Sequence, residues 1–215
     1  MLIPLRPKEL ERLIPSVATS NQFQAALGNP RKILQRIIIS SIGGVVTFLI
    51  SQSLDRTQFY SLWLILAVVF LLYILWGPIL EASRINSKLR SYPFAALFDG
   101  EVIDIFTQER VENSHEQANK LGELELIENR RRWLILEIGD EDGYLTKIDF
   151  PLDNKHQSIQ NGSQIRCIVF SNNREFTSIN NISDAWLPRN RLWVGEYPFL
   201  LKPAFEELCF LRLRN

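Results

Sequence analysis

The sequence predicts a membrane α-helical hairpin followed by a soluble all-β domain, a small antiparallel barrel or sandwich of OB or SH3-like size, with a short C-terminal helix. Three observations predict it. No charge falls between Arg36 and Asp55, and none between Arg56 and Glu81. A bilayer core of roughly 30 Å takes about 20 helical residues, so both windows are long enough to span. After Pro93 the pattern changes from continuous apolar runs to short alternating segments broken by turn residues. The chain divides accordingly into 1–32, an amphipathic surface segment; 33–82, the two-helix hairpin; 83–93, a linker; and 94–215, the β domain.

Pro7 suits the first turn of a short helix, KELERLI, which Pro15 ends. Ser16–Leu27 forms a second short helix, ended by Gly28, Asn29 and Pro30. Leu2, Ile3, Leu5, Leu10, Leu13, Ile14 and Val17 give this region an apolar side with basic residues interleaved. Such a side lies in the headgroup region of a bilayer or packs on the protein's own soluble domain. No secretory signal peptide is expected, because the first long apolar run starts too late.

The first span runs from near Ile33 to Ile50. Ser40, Gly43, Gly44 and Thr47 interrupt its oil as small pairs four apart, which lie on one helix face and admit a close neighbour. That neighbour is the second span or a foreign helix. The second span carries Phe59, Tyr60 and Trp63 at one end and Tyr73 and Trp76 at the other. Tyr60 to Trp76 is about 24 Å in a straight helix, close to the separation of two interfacial aromatic belts. Arg31, Lys32 and Arg36 precede the first span, Arg84, Lys88 and Arg90 follow the second, and the connector offers only Arg56. The positive-inside rule then puts both termini on the cytoplasmic or stroma-like side.

In the β domain, GEVIDIF places Val102 and Ile103 on opposite faces. Thr107–Leu121 is charged and lacks an apolar stripe, so it reads as a loop or a short exposed helix. WLILEI, the turn Gly139–Gly143 and YLTKIDF form a hairpin. Further strands are expected at Ile165–Phe170, Arg174–Ile182 and Arg191–Gly195. Lys202–Arg214 puts Phe205, Leu208 and Cys209 at helical spacing, so a final helix covers a barrel mouth or sheet edge.

Lys+Arg and Asp+Glu balance at 24 each, but residues 1–36 carry a net +4 and residues 81–215 a net −4. No global basic field exists to hold nucleic acid. Cys167 and Cys209 read as buried apolar fillers. His115 and His156 each sit in a polar loop outside any zinc-ligand spacing, and solvated loop histidines are the default. No nucleophile elbow, Walker loop, dinucleotide glycine pattern or HExxH occurs, so no cofactor, metal or catalytic residue is expected. Asp99, Asp104 and Glu196 would be the carboxylates to examine if a cleft gathered them.

Two clusters point to partner binding. Arg130, Arg131 and Arg132 form the densest basic run, either a solvated hairpin approach or a contact for anionic headgroups or an acidic partner. The stretch 182–200 holds Trp186, Arg189, Arg191, Trp193 and Tyr197, a composition found in binding surfaces and also in small cores.

LIPSVATSNQF near the start, the two-span hairpin, and DAWLPRNRLWVGEYPFL near the end resemble a family of small two-span cyanobacterial membrane proteins of unknown function, often labelled phosphate-transporter permeases. The label fits poorly with two spans that hold no ionisable residue in their cores. The resemblance implies a thylakoid or plasma membrane and a photosynthetic setting. The expected function is a non-enzymatic, membrane-anchored accessory subunit or assembly factor of a large membrane complex. Its partners would be the lipid bilayer and the subunits of that complex. The alternative is an auxiliary subunit of a membrane transporter.

Overall fold

The computed structural model describes residues 1–53, 60–118 and 124–213. The connector with Asp55 and Arg56, the belt residue Phe59 and the end of the final helix at Arg214 lie outside them. The chain forms two compact units, one of Ile14–Ser91 and one of Met1–Leu13 with Tyr92–Asn215.

The helical unit contains α2 (Ser20–Leu27), α3 (Pro30–Ser53), α4 (Tyr60–Leu71) and α5 (Tyr73–Arg90). Thr19 opens α2 with a capping box: its hydroxyl accepts from Gln22 N–H, and the Gln22 side chain accepts from Thr19 N–H. α3 is the one helix among the described residues that is by itself long and apolar enough to cross a membrane.

α3 packs on α4 through the small-residue face. Ser40, Gly44 and Thr47 are buried, with Gly43 at the edge of the contact. A Cβ on Gly44 would come within 2.7 Å of the Leu71 side chain, and one on Gly43 within 2.5 Å of the Phe70 ring. The face is therefore consumed within the chain. Thr47 Oγ1 donates to the Gly43 carbonyl at 2.6 Å and Ser51 Oγ to Phe48 at 2.6 Å, so these hydroxyls need no water.

The second apolar window is not one straight helix. α4 and α5 meet at Leu72 with a bend of 71°. The belt spacing from Tyr60 to Trp76 therefore does not apply, because Trp76 lies beyond the bend. Leu75 N–H and Trp76 N–H both converge on the Leu72 carbonyl, at 2.9 and 3.3 Å. In an uninterrupted helix, Leu75 N–H would serve the Leu71 carbonyl. Here Ser40 Oγ serves that carbonyl at 2.6 Å, and the Trp76 indole N–H reaches back to the Val69 carbonyl at 2.8 Å. Side chains thus re-satisfy the backbone at the bend, which is the condition for breaking a helix in an apolar medium. Pro78 sits inside α5 and does not end it. Within the stretch 83–93, α5 continues to Arg90 and is capped at Ser91.

Arg36 is not a flanking surface charge. It is buried, and its guanidinium donates to the Leu27 carbonyl at 3.0 Å and the Ala26 carbonyl at 2.9 Å, capping the end of α2, and to the Glu81 carboxylate on α5. Gln22 and Asn86 exchange side-chain hydrogen bonds, and Asn86 Nδ2 also donates to the Pro15 carbonyl at 3.0 Å. These polar clasps fix α2 to α3 and α5. The amphipathic segment 1–32 is accordingly split: residues after Leu13 belong here and those before it to the β unit.

The β unit is an antiparallel sheet of eight strands in the order β4-β3-β2-β5-β7-β8, with β1 beside β2 and β6 beside β5. The strands are β1 (Leu2–Pro4), β2 (Phe94–Ala118), β3 (Leu124–Gly139), β4 (Leu145–Pro151), β5 (Gln164–Ser171), β6 (Asn181–Ile182), β7 (Ala185–Leu187) and β8 (Leu192–Val194). No pairing among the described residues joins β4 to β8, so the hydrogen-bonded order is open. Helices α1 (Pro7–Leu13) and α6 (Lys202–Arg212) pack on each other. Glu9 of α1 pairs with Arg212 of α6, and Leu201 N–H donates to the Leu13 carbonyl at 2.8 Å. The core gathers Phe98, Val102, Leu136, Ile138, Phe150, Ile165, Cys167, Ala185 and Leu187, the inward residues of alternating strands.

Two segments differ from the sequence expectation. Thr107–Ala118 is strand, not loop or helix, while 119–121 lie outside the described residues. Beyond Trp133 the partner of β2 is β3 alone, so residues 108–118 and 124–132 form a two-stranded ribbon about 35 Å long. A ribbon without a core side needs no apolar alternation, which is why the pattern was silent. Arg174–Ile182 is mostly turn: only Asn181–Ile182 pair, and the Asn180, Ser171 and Asn173 side chains accept from the backbone N–H groups of Asn172, Asn173 and Glu175.

Candidate functional site

Alternation along the last strands divides the aromatic stretch between two faces. Ala185, Leu187 and Val194 point into the core, so Trp186 and Trp193 stand on the opposite face, both half-buried. In β5 the same rule places Ile165 and Cys167 inward and Arg166 outward. The register then sets four residues in one row across four strands: Asp99 opposite Arg166, Arg166 opposite Trp186, and Trp186 opposite Trp193.

The row is continuous chemically. Arg166 Nε donates to Asp99 Oδ1 at 2.8 Å, and its guanidinium carbon lies 5.8 Å from the centre of the Trp186 ring. Trp186 and Trp193 stack with centroids 6.4 Å apart and 21° between planes. α6 closes the row. Lys202 Nζ lies 5.5 Å over Trp193, Phe205 meets that indole edge-on at 5.5 Å, and the indole N–H donates to Glu206 at 3.3 Å. The cations and rings satisfy one another, with cation–π contacts adding to the ion pair. The row seats α6 on the sheet and thereby buries Phe205 and Cys209.

Of the other residues singled out in this stretch, Arg189 and Arg191 are exposed at the β7–β8 turn, where Arg191 adopts a φ of 49°. Tyr197 meets Phe199 edge-on at 4.8 Å. Arg130, Arg131 and Arg132 lie on the ribbon and are exposed. Each has an acidic neighbour: Glu128 at 2.9 Å, Glu112 at 3.3 Å and Glu109 at 3.9 Å. The sequence reading missed Arg166, although one cation inside the apolar run IRCIVF signals a polar side on that strand.

Asp184 is a buried acid. Its carboxylate accepts from Leu200 N–H at 3.0 Å and holds the 195–200 segment to β7. Gly195, at φ 150°, passes so close that a Cβ would sit 2.9 Å from the Asp184 Cβ. Burial pushes the Asp184 carboxyl up to about 7, against the opposing pull of the Leu200 hydrogen bond and the Lys202 charge. Folding therefore takes up a proton between the ordinary carboxylate range and about pH 7. Stability falls as pH rises through that window, on the order of 4 kcal/mol.

His156 works in the opposite sense. It is buried rather than solvated, because its Nδ1 accepts from Asp153 N–H at 3.1 Å and its ring packs on Phe150. Burial lowers its pKa, so its share of stability is lost as pH falls through the usual histidine range. Asp184→Asn is accordingly expected to remove the loss toward pH 8 and leave a net rise with pH. Urea midpoints at pH 5.5 and 8 check this, and an unchanged pH slope in the variant would refute it. The His115 side chain lies outside the described residues.

The carboxylates Asp99, Asp104 and Glu196 do not converge. Asp99 serves Arg166 and Gln164, Asp104 accepts from Ile105 N–H, and Glu196 is exposed. Asp99 instead borders an open acidic recess of about 640 Å³ with Glu101, Asp140, Glu141 and Asp142. Among the described residues no three His, Cys, Asp or Glu side chains are grouped to hold a metal ion. Burial pushes the Cys209 thiol up to about 12 and raises Cys167 as well, so neither supplies a thiolate nucleophile.

No curated protein and no solved structure matches the chain. One family model does, over residues 3–212.

Proposed function

We propose that this chain, which belongs to DUF8619, a family of unknown function, is a non-enzymatic membrane-anchored interaction protein, an accessory subunit or assembly factor of a larger membrane complex. The observation that carries the anchoring is the inverted polarity of the helical unit. Ile38, Ile42, Val45, Val46 and Leu49 of α3 and Leu62, Ile65 and Val68 of α4 are turned outward and exposed. Ser40, Thr47 and Ser51 are turned inward, and their hydroxyls bond to backbone carbonyls. Only 22 % of the apolar window of α3 is buried, unlike the core helix of a water-soluble protein. α3 is about 36 Å long, enough to cross a core of roughly 30 Å.

The hairpin would enter the bilayer with Arg31, Lys32, Arg84 and Lys88 on one side, the cytoplasmic side by the positive-inside rule. The β unit would then face the same compartment and offer its ribbon to partner subunits. A photosynthetic complex is the partner that the resemblance implies.

Alkaline carbonate extraction and mild-detergent native gels test the reading. The chain should stay with the membrane in carbonate and migrate with a complex well above its own mass. Release into the carbonate supernatant would overturn the anchoring. Migration alone at 25.0 kDa plus detergent would overturn the interaction role.

A further inference from the structure

Resting on the anchoring just proposed, we infer that α5 lies in the membrane interface and carries a site for the headgroup of an anionic phospholipid. With α4 along the bilayer normal, a helix turned by 71° lies within about 20° of the bilayer plane, the posture of an interfacial helix. The sequence of α5 suits it. Leu75, Ile79 and Leu80 are exposed on its first turns, and Arg84 and Lys88 on its last.

Along this helix runs an open groove of about 490 Å³, lined by Tyr73, Trp76, Gly77, Leu80, Glu81 and Arg84, with Ile85 at its end. Its aromatic end is rigid. Tyr73 and Trp76 meet edge-on at 4.9 Å, and Trp76 is held by its hydrogen bond to Val69. Gly77 keeps the floor low, since a Cβ there would come within 3.2 Å of the Tyr73 ring.

The polar end is cationic. Glu81 is already claimed by Arg36 and by Lys32 at 3.7 Å. Arg84 has no hydrogen bond or ion pair among the described residues. Two cations therefore hold that carboxylate, and the unpaired cation lining the groove is a guanidinium, whose planar fork fits a phosphate through two parallel hydrogen bonds. From Tyr73 to Arg84 is about 16 Å along the helix. Leu80 lies one turn before Arg84 on the same face, so a lipid phosphate can meet Arg84 while its acyl chain descends past Leu80 into the bilayer core. Aromatic rings at headgroup depth with an adjacent arginine are the chemistry of lipid recognition.

The test is native mass spectrometry of the full chain in detergent, titrated with phosphatidylglycerol or phosphatidylcholine. Phosphatidylglycerol should be retained at least about fivefold better, the factor one interfacial cation supplies. Arg84→Gln should abolish that preference and Arg84→Lys should keep part of it. Arg31→Gln, which removes an exposed cation outside the groove, should leave it intact. Inorganic phosphate at millimolar excess should not displace the lipid. Equal retention of both lipids, an unchanged preference in Arg84→Gln, an equal loss in Arg31→Gln, or displacement by phosphate would each overturn the site. A chain that stays in carbonate-washed membranes but shows no lipid preference loses this inference alone. A chain released by carbonate loses the anchoring on which it rests.

Discussion

Gly100→Ala is expected to destabilise the β unit by about 3 kcal/mol. At Gly100 the long strand β2 changes partner along one edge. Phe98 is paired with Leu2 of β1, and Glu101 with Gly139 of β3. The end of β3 therefore crowds onto the backbone where β1 leaves off. A Cβ on Gly100 would sit 2.3 Å from the Gly139 carbonyl oxygen and 2.6 Å from the Phe98 ring. Neither neighbour is free to move: one is ladder backbone, the other a fully buried core ring. Relief requires opening the Glu101–Gly139 pairing or repacking Phe98. Urea unfolding followed by tryptophan fluorescence checks this, with Gly143→Ala as comparison. Gly143 has φ 86° but open space around its Cβ position, so only the backbone term of about 1 kcal/mol applies there. Equal losses in the two variants would show that the crowding at Gly100 costs nothing.

Arg36→Met should cost the helical unit about 2–4 kcal/mol. The guanidinium is buried and serves three acceptors, the carbonyls of Ala26 and Leu27 and the Glu81 carboxylate. Methionine fills much of the same volume but leaves the end of α2 uncapped and Glu81 with only Lys32 beside it. Removing one partner of such a clasp is costly because the others remain desolvated. Glu81 is about 40 % exposed, which lets water recover part of the loss and sets the estimate below that for a fully buried pair. The double variant Arg36→Met/Glu81→Leu should regain part of the stability, since it removes both charges together. Thermal unfolding in detergent reads both. A single variant within about 0.5 kcal/mol of the parent would mean the clasp is not structural.

Local patterning in the sequence carried the charge-free windows, the Asp-Gly hairpin after β3, the C-terminal helix over Lys202–Arg212 and the strands at Ile165–Phe170 and around Leu192–Val194. Each depends on neighbours within a few residues, through helical or two-residue periodicity and through glycine at a turn. The small face of α3 was legible for the same reason, because Ser40, Gly44 and Thr47 recur at helical spacing. Tertiary structure alone decided the rest. The bend at Leu72 requires Ser40 from α3 to serve the freed Leu71 carbonyl. The burial of Arg36 requires Glu81, 45 residues away. The strand at Thr107–Ala118 exists because β3 supplies its hydrogen bonds, and Arg166 joins two tryptophans only once β5, β7 and β8 are in register. These are contacts between segments distant in the chain, whose energies no local periodicity encodes, so they become definite only when the partners are in place.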